Sequence, residues 1–137
     1  METIIVYIDW CHKNFSASFS ENVPGGVAFT ADTYDNILLE AQKTLDFHLQ
    51  GYVEDGEAPQ WYLDKNYKLE FQPTAAALLH SLSSDITLAS ISRATGINQT
   101  QLGHYLHGRS RPSRKTIDKI QNGIRKFVKD LTVVNFA

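Results

Sequence analysis

The first third of the chain alternates apolar and polar side chains in short runs. Residues 15–19 (FSASF) have the period of two that is typical of a strand with one buried face. Residues 4–8 (IIVYI) are β-branched and aromatic, which favours a strand, and residues 27–29 (VAF) are long enough for a third. Turn residues at 9–14 and 24–26 separate these segments. The pattern therefore predicts a three-stranded antiparallel meander.

From residue 33 onward the apolar positions recur every three or four residues, which is the helical period. Asp32-Thr33 provides cap chemistry at the start, and residues 55–59 (DGEAP) end the helix. Its apolar stripe consists of Ile37, Leu38, Ala41, Leu45, Leu49 and Tyr52. Residues 61–63 and 69–71 are apolar and aromatic, and we expect both to be strands that complete the sheet. The predicted order β-β-β-α-β belongs to the α+β class, with one helix packed on a sheet.

The second half of the chain has only helical periodicity, so we expect an all-α domain there. Four residues with N-cap chemistry begin four predicted helices: Thr74, Thr87, Asn98 and Ser113. Gly96 is expected to make the left-handed turn that ends the second helix, and Gly108 is expected to end the third. Gly103 lies inside the third helix, where glycine costs about 1 kcal/mol relative to alanine. We therefore expect some group to approach the helix backbone closely at Gly103.

The last predicted helix has a long apolar face, formed by Ile117, Ile120, Ile124, Phe127, Val128 and Leu131. Part of this face completes the core of the helical domain. The remainder, toward Phe127 and Leu131, either belongs to the same core or pairs with a second chain. Because each half of the chain is small, self-association would help to bury apolar surface, and we expect a homodimer or a higher homo-oligomer. Residues 133–136 (VVNF) are apolar, and we expect them to dock on the domain.

Charge divides the chain at the same place as the periodicity. Residues 1–72 contain 12 acidic and 4 basic side chains, a net charge of −8, whereas residues 73–137 contain 3 and 9, a net charge of +6. This asymmetry predicts two modules, 1–72 and 73–137, with different partners. The single cysteine, Cys11, cannot form an internal disulfide. No apolar run resembles a signal peptide or a membrane span, so we expect a cytoplasmic protein.

The helical half carries side chains that suit contact with DNA. Gln and Asn amides pair with an adenine edge, and Thr offers a hydroxyl and a methyl group. A run of Arg and Lys follows the third predicted helix and would neutralise phosphates beside the groove. An ordinary helical corner with solvated polar residues is the alternative. The DNA-binding hypothesis assigns these contacts to Gln99, Thr100, Gln101, His104, Arg109, Arg111, Ser113 and Arg114.

Residues 86–113 resemble the Xre/Cro repressor-type helix-turn-helix. The positions that match the core and turns of that family are Ile91, Gly96, Ile97, Leu102 and Gly108. The resemblance implies that the early residues of the second motif helix read base edges. The chain departs from the family at Ser92, where Ala is usual, and at Leu88, where Gln is common.

Residues 24–59 resemble the sheet-and-helix module of HicB-type antitoxins. In that family a Pro-Gly turn leads to a capped helix with a Glu-Asp-Gly-Glu-x-Pro tail, which residues 54–59 (EDGEAP) reproduce. The resemblance implies a degenerate ribonuclease H-like fold without catalysis, which binds a small basic toxin ribonuclease, HicA. Many members carry a C-terminal DNA-binding domain and repress their own operon. Gly26 follows the Pro-Gly pair at a position where the family often has Cys.

Two other functions remain open from the residues alone. A repressor whose first module binds a small ligand or only oligomerises would have the same second half. A nuclease would need a carboxylate cluster for two metal ions, and Asp9, Asp32, Asp35 and Glu40 are the candidates. Helix capping and solvation explain these acidic residues, so we expect no enzyme.

No phosphate-binding loop is present, and Cys11-His12 lacks a second pair of metal ligands. His104 and His107 are three apart on one predicted helix and could chelate a metal, but their place on that helix favours a role facing solvent or DNA. We therefore expect no cofactor and no metal.

Overall fold

The computed structural model describes residues 1–135 and 137. The chain forms two compact units, Met1–Ala77 and Leu78–Ala137, and the boundary falls inside the third helix. The first unit contains β1 (Glu2–Cys11), β2 (Asn14–Phe19), β3 (Ala28–Ala31), α1 (Tyr34–Glu54), α2 (Gln60–Leu63) and β4 (Tyr67–Pro73). The remaining helices are α3 (Ala75–Leu82), α4 (Leu88–Thr95), α5 (Gln99–Leu106) and α6 (Arg114–Thr132). The prediction of the α+β class is confirmed.

The first unit is built on a mixed sheet with the strand order β3-β2-β1-β4. β1 pairs with β2, and β2 with β3, in antiparallel register, as the alternating pattern predicts. β4 pairs with β1 in parallel, from Glu2 opposite Tyr67 to Ile8 opposite Pro73. A parallel neighbour needs a crossover connection, and α1 with α2 provides that connection.

α1 covers one face of the sheet with a stripe that repeats every four residues. Its fully buried side chains are Ile37, Ala41, Leu45 and Leu49. They meet the inward-facing residues of β1 and β2, which are Ile4, Val6, Ile8, Phe15 and Ala17. Each large aliphatic side chain buried in this way contributes about 1.5–3 kcal/mol relative to exposure. The helix begins at Thr33, whose hydroxyl accepts a hydrogen bond from the Asn36 N–H at 3.1 Å.

The prediction of a strand at residues 61–63 is wrong, because these residues form the short helix α2. The carbonyl of Pro59 accepts hydrogen bonds from the N–H groups of Tyr62 and Leu63, which begins a helical turn. Trp61 then packs edge-on against Tyr67, with ring centroids 5.2 Å apart. Trp61 and Tyr62, the aromatic residues that favour a strand by composition, therefore pack against the core from a helix. The observed order is β-β-β-α-α-β rather than β-β-β-α-β.

The helices of the second unit begin at the predicted caps. Thr87, Asn98 and Ser113 each accept a hydrogen bond from the backbone N–H three residues later. Gly96 has a φ angle of +76°, which confirms the predicted left-handed turn, and Gly108, just after α5, has a φ angle of +71°. The buried hydrophobic side chains are Leu79, Ile91, Leu102, Tyr105 and Ile120. Among the described residues no helix is long and apolar enough to cross a membrane.

The prediction that the closing segment docks is wrong for the part that is described. Val133 and Val134 are 73% and 56% exposed. The chain turns at the end of α6, where the Val134 N–H donates to the Leu131 carbonyl at 3.3 Å, so these residues stay beside the end of the helix. Phe136 lies outside the described residues. Val128 and Leu131, in the last turns of α6, are also more than half exposed.

Gly123 allows α6 to cross α4 at backbone contact distance. A Cβ atom at this position would lie 2.6 Å from the Ala94 carbonyl oxygen and 2.8 Å from the Thr95 Cα. Both are backbone atoms that cannot rotate away. The sequence pattern does not distinguish Gly123 from the other helical glycines, since the constraint comes from a residue almost thirty positions earlier.

We predict that Gly123→Ala lowers the free energy of unfolding of the second unit by about 1–3 kcal/mol, because α4 and α6 must separate to admit the methyl group. Gly51→Ala is the matched control. Gly51 lies in α1 and has nothing within 4 Å of the added Cβ atom, so this substitution should raise the free energy of unfolding by up to about 1 kcal/mol. Urea denaturation followed by circular dichroism, with amide exchange in α4, measures both effects. Equal stability of the two variants would contradict the packing described here.

Candidate nucleic-acid interface

The first turn of α5 presents two polar side chains to the exterior. Asn98 caps the helix, and its Oδ1 accepts from the Gln101 N–H at 2.7 Å. Gln99 and Thr100 follow, and both are exposed. Leu102 and Tyr105 are buried on the opposite side of the helix, which fixes its rotation. The amide and the hydroxyl of this first turn are therefore held outward by the core.

Gln101, which we predicted to contact DNA alongside these two, has a partner within the chain. Its side-chain nitrogen donates to the Ser110 hydroxyl at 3.4 Å, which links the first turn of α5 to the segment that follows the helix. His104 is only partly exposed. Its carbonyl accepts from the Arg109 N–H at 2.9 Å and so helps to shape the same segment. The structure thus links α5 to the segment after it through the Gln101 side chain and through the backbone carbonyl of His104.

The segment between α5 and α6 carries exposed cationic side chains. Gly108 turns the chain, with its N–H donating to the Tyr105 carbonyl at 3.1 Å. Arg109 and Arg111 follow and are both exposed. A guanidinium group presents a planar set of donors that matches phosphate geometry. This segment therefore provides two cations close in sequence to the exposed first turn of α5.

The start of α6 adds a third basic group and a helix N-terminus. The Ser113 hydroxyl accepts from the Thr116 N–H at 3.3 Å, so its first role is to cap α6. Arg114 lies 3.3 Å from Asp118 in an exposed pair. Exposed pairs of this kind contribute little to stability, and the guanidinium remains accessible. The partial positive charge at the N-terminus of a long helix also favours an anion near these residues.

The turn between α4 and α5 contains two contacts that the sequence does not predict. The Ser92 hydroxyl donates to the Ile97 carbonyl at 2.5 Å, which gives a structural role to the residue that departs from the family pattern. Lys119 of α6 extends its side chain over Gly96, within 3.7 Å of where a Cβ atom would lie. One more ammonium group is therefore placed beside this turn.

His80 supports the far end of α5. Its side chain is partly buried, and the Nε2–H donates to the Leu106 carbonyl at 2.9 Å. Burial lowers the pKa of His80 below its ordinary value of 6.5; the bond to Leu106 opposes this shift, and the charge of His107 adds to it. The neutral ring is therefore the form that the folded unit prefers. The two partners are twenty-six residues apart, so the sequence pattern does not predict this contact.

The acidic residues of the first unit have structural partners or lie apart. The Asp9 carboxylate accepts from the Thr74 hydroxyl and from the Trp10 N–H, both at 2.8 Å. Thr74 in turn accepts from the Ala77 N–H and caps α3. Within residues 1–135 and 137, no three His, Cys, Asp or Glu side chains come together in a group that could hold a metal ion. The carboxylate cluster that a two-metal nuclease would need is thus not assembled in the part of the chain that the structure describes.

We predict that the second unit loses stability as the pH falls below about 6.5. Because the pKa of His80 is lower in the folded chain than in the unfolded chain, the unfolded state binds the proton first, and stability is lost as the pH falls toward the folded pKa. The midpoint of thermal unfolding should fall between pH 7.5 and pH 5.5, and it should fall less in His80→Gln than in the wild type, because the Gln amide can donate the hydrogen bond but does not titrate. His12→Asn, in the exposed β1–β2 turn, is the control, and its unfolding midpoint should fall between the two pH values as much as that of the wild type. A fall of the wild-type size in His80→Gln would refute the role of His80 in this pH dependence.

Comparison of the chain with protein-family models, with curated proteins and with solved structures gives no match in any of the three. Function is therefore inferred from the residues and the geometry of the chain itself.

Proposed function

We propose that this protein is the antitoxin of a toxin–antitoxin pair and represses its own operon. The second unit, Leu78–Ala137, binds operator DNA through the α4–α5 helix-turn-helix. The first unit, Met1–Ala77, is a degenerate ribonuclease H-like module that sequesters a small basic toxin ribonuclease. The protein acts in the cytoplasm as a homodimer or a higher homo-oligomer and requires no cofactor.

The observation that carries the DNA-binding proposal is the placement of two kinds of side chain within a short stretch. Gln99 and Thr100 are held outward at the start of a helix, while Arg109 and Arg111 are exposed in the segment after it. Amide and hydroxyl side chains such as those of Gln99 and Thr100 read base edges, whereas guanidinium groups bind phosphates. A helix that enters the major groove by its N-terminal turn uses both. The net charge of +6 on this unit supplies the attraction to the duplex that does not depend on sequence.

The antitoxin proposal is supported by the charge and by the tail of α1. The first unit carries a net charge of −8, which favours a cationic protein partner and speeds their association. The EDGEAP tail turns the chain out of α1: Gly56 has a φ of +71°, and the Glu57 N–H donates to the Tyr52 carbonyl at 2.8 Å. The Asp9 carboxylate accepts hydrogen bonds from the Trp10 N–H and from the Thr74 hydroxyl that caps α3, which gives it a structural role in this proposal.

A repressor that senses a small ligand is the second candidate, and one feature of the first unit favours it. A groove of about 540 Å³ lies beside α1, α2 and β4. Asp46 accepts hydrogen bonds there from Gln42 and Tyr62, and burial together with the bond to Asp46 raises the pKa of Tyr62 to about 12. The tyrosine therefore stays a donor at physiological pH. A ligand bound in this groove would change DNA affinity without any protein partner.

Selection from a randomised duplex pool with the full-length protein would define the operator. We predict that Gln99→Ala costs roughly 1–3 kcal/mol on the selected duplex and little on a scrambled one, because it removes a base contact. Arg111→Ala should weaken binding to both duplexes alike and reduce the salt dependence by about one phosphate contact. The selected site should be an inverted repeat with half-sites about 34 Å apart.

Arg125→Ala is the matched control for Arg111→Ala, since it removes the same charge from an exposed position in the second half of α6. It should leave the affinity for both duplexes closer to that of the wild type. If Gln99→Ala weakens both duplexes equally, α5 is not the helix that reads sequence. If the wild type selects no duplex, the DNA-binding proposal fails.

The antitoxin proposal predicts capture of the small basic protein encoded by a neighbouring reading frame. Co-expressed with the full chain, it should co-purify, and the complex should weaken as salt is raised because the attraction is electrostatic. The pair Glu54→Lys and Glu57→Lys should slow association about tenfold or more by reversing charge on the first unit. Asp85→Lys with Asp130→Lys makes the same charge change on the second unit and should have a smaller effect. Equal effects of both pairs would refute the assignment to the first unit, and no capture at all would favour the ligand-sensing repressor.

A further inference from the structure

Two glycines of the second unit lie inside helices, and only one of them is explained by the chain itself. Gly123 is required because α4 crosses it at backbone contact distance. Gly103, the fifth residue of α5, has nothing within 4 Å of the position that a Cβ atom would occupy. Its φ angle lies in the ordinary helical range, so no left-handed turn requires glycine either. Glycine destabilises a helix interior relative to alanine, and within the described residues nothing offsets that cost.

The surroundings of Gly103 show which direction it leaves open. Residues three and four positions apart share one side of a helix, so Gly103 lies on the side of α5 that carries Gln99, Thr100 and His107. These three side chains are exposed, whereas Leu102 and Tyr105 are buried on the other side. Gly103 therefore leaves a gap between polar side chains on the outward side of α5.

We propose that Gly103 is the point at which bound DNA comes closest to the protein backbone. A methyl group here would project outward among the residues proposed to contact DNA and would hold the helix away from the groove. The glycine would therefore set how deeply α5 enters and bring Gln99 and Thr100 within reach of base edges. This inference rests on the DNA-binding function proposed above and adds a residue that determines the depth of docking.

The test compares two alanine substitutions in open helical positions of the full-length protein. Gly103→Ala should raise the midpoint of thermal unfolding by about 2–6 °C, because alanine favours the helix. It should also lower affinity for the duplex selected by the wild type by at least about tenfold, the loss expected when one base contact is no longer made. Gly51→Ala, in α1, gains the same helix propensity at a site with no neighbour within 4 Å. It should be stabilised without any loss of DNA affinity.

The outcomes separate this inference from the function on which it rests. Higher stability with weaker DNA binding in Gly103→Ala alone supports close approach at this glycine. A loss confined to the selected duplex would place a base edge there, and an equal loss on a scrambled duplex would place the sugar–phosphate chain there. Unchanged binding, or a fall in stability in Gly103→Ala, would overturn the inference while leaving the DNA-binding function standing. If the wild type selects no duplex, the proposed function itself fails.

Discussion

The contact between α4 and α6 at Gly123 is the constraint on which the helical unit depends. It brings two backbones together where a single methyl group would not fit, and beside it Ile91 and Ile120 become almost fully buried. With α4 held in this way, the left-handed turn at Gly96 and the cap at Asn98 direct α5 so that Leu102 and Tyr105 face the core. The exposed first turn of α5 is therefore a consequence of packing on its opposite side. Close packing of this kind admits few alternative arrangements.

The features that were predictable from sequence are those whose cause lies within a few residues. Thr87, Asn98 and Ser113 cap helices because their own side chains reach the next turn, and a sequence displays that spacing directly. The strand at residues 15–19 and the helix from residue 34 follow from local periodicity in the same way. The α+β class could be predicted for this reason.

The features that could not be predicted depend on residues distant in sequence. Residues 61–63 have the composition of a strand, yet packing against Tyr67 and the core places them in a helix. His80 gains its role from Leu106, and Gly123 from Ala94 and Thr95. In the candidate site, the exposed positions of Gln99, Thr100, Arg109 and Arg111 agree with the hypothesis. The contact of Gln101 with Ser110, nine residues later, could be found only from the structure.

The isolation of Gln99 and Thr100 has a consequence for how this protein can change over time. Within the described chain their side chains make no hydrogen bond or ion pair, and the helix that carries them is held by residues on its other side. Substitutions at these two positions therefore alter neither the core nor the caps, and surface changes of this kind shift stability by less than about 0.5 kcal/mol. If the positions read sequence, a new DNA target is accessible by one or two replacements that the fold does not oppose. Duplicated copies of such a protein could diverge in their targets without first gaining stability.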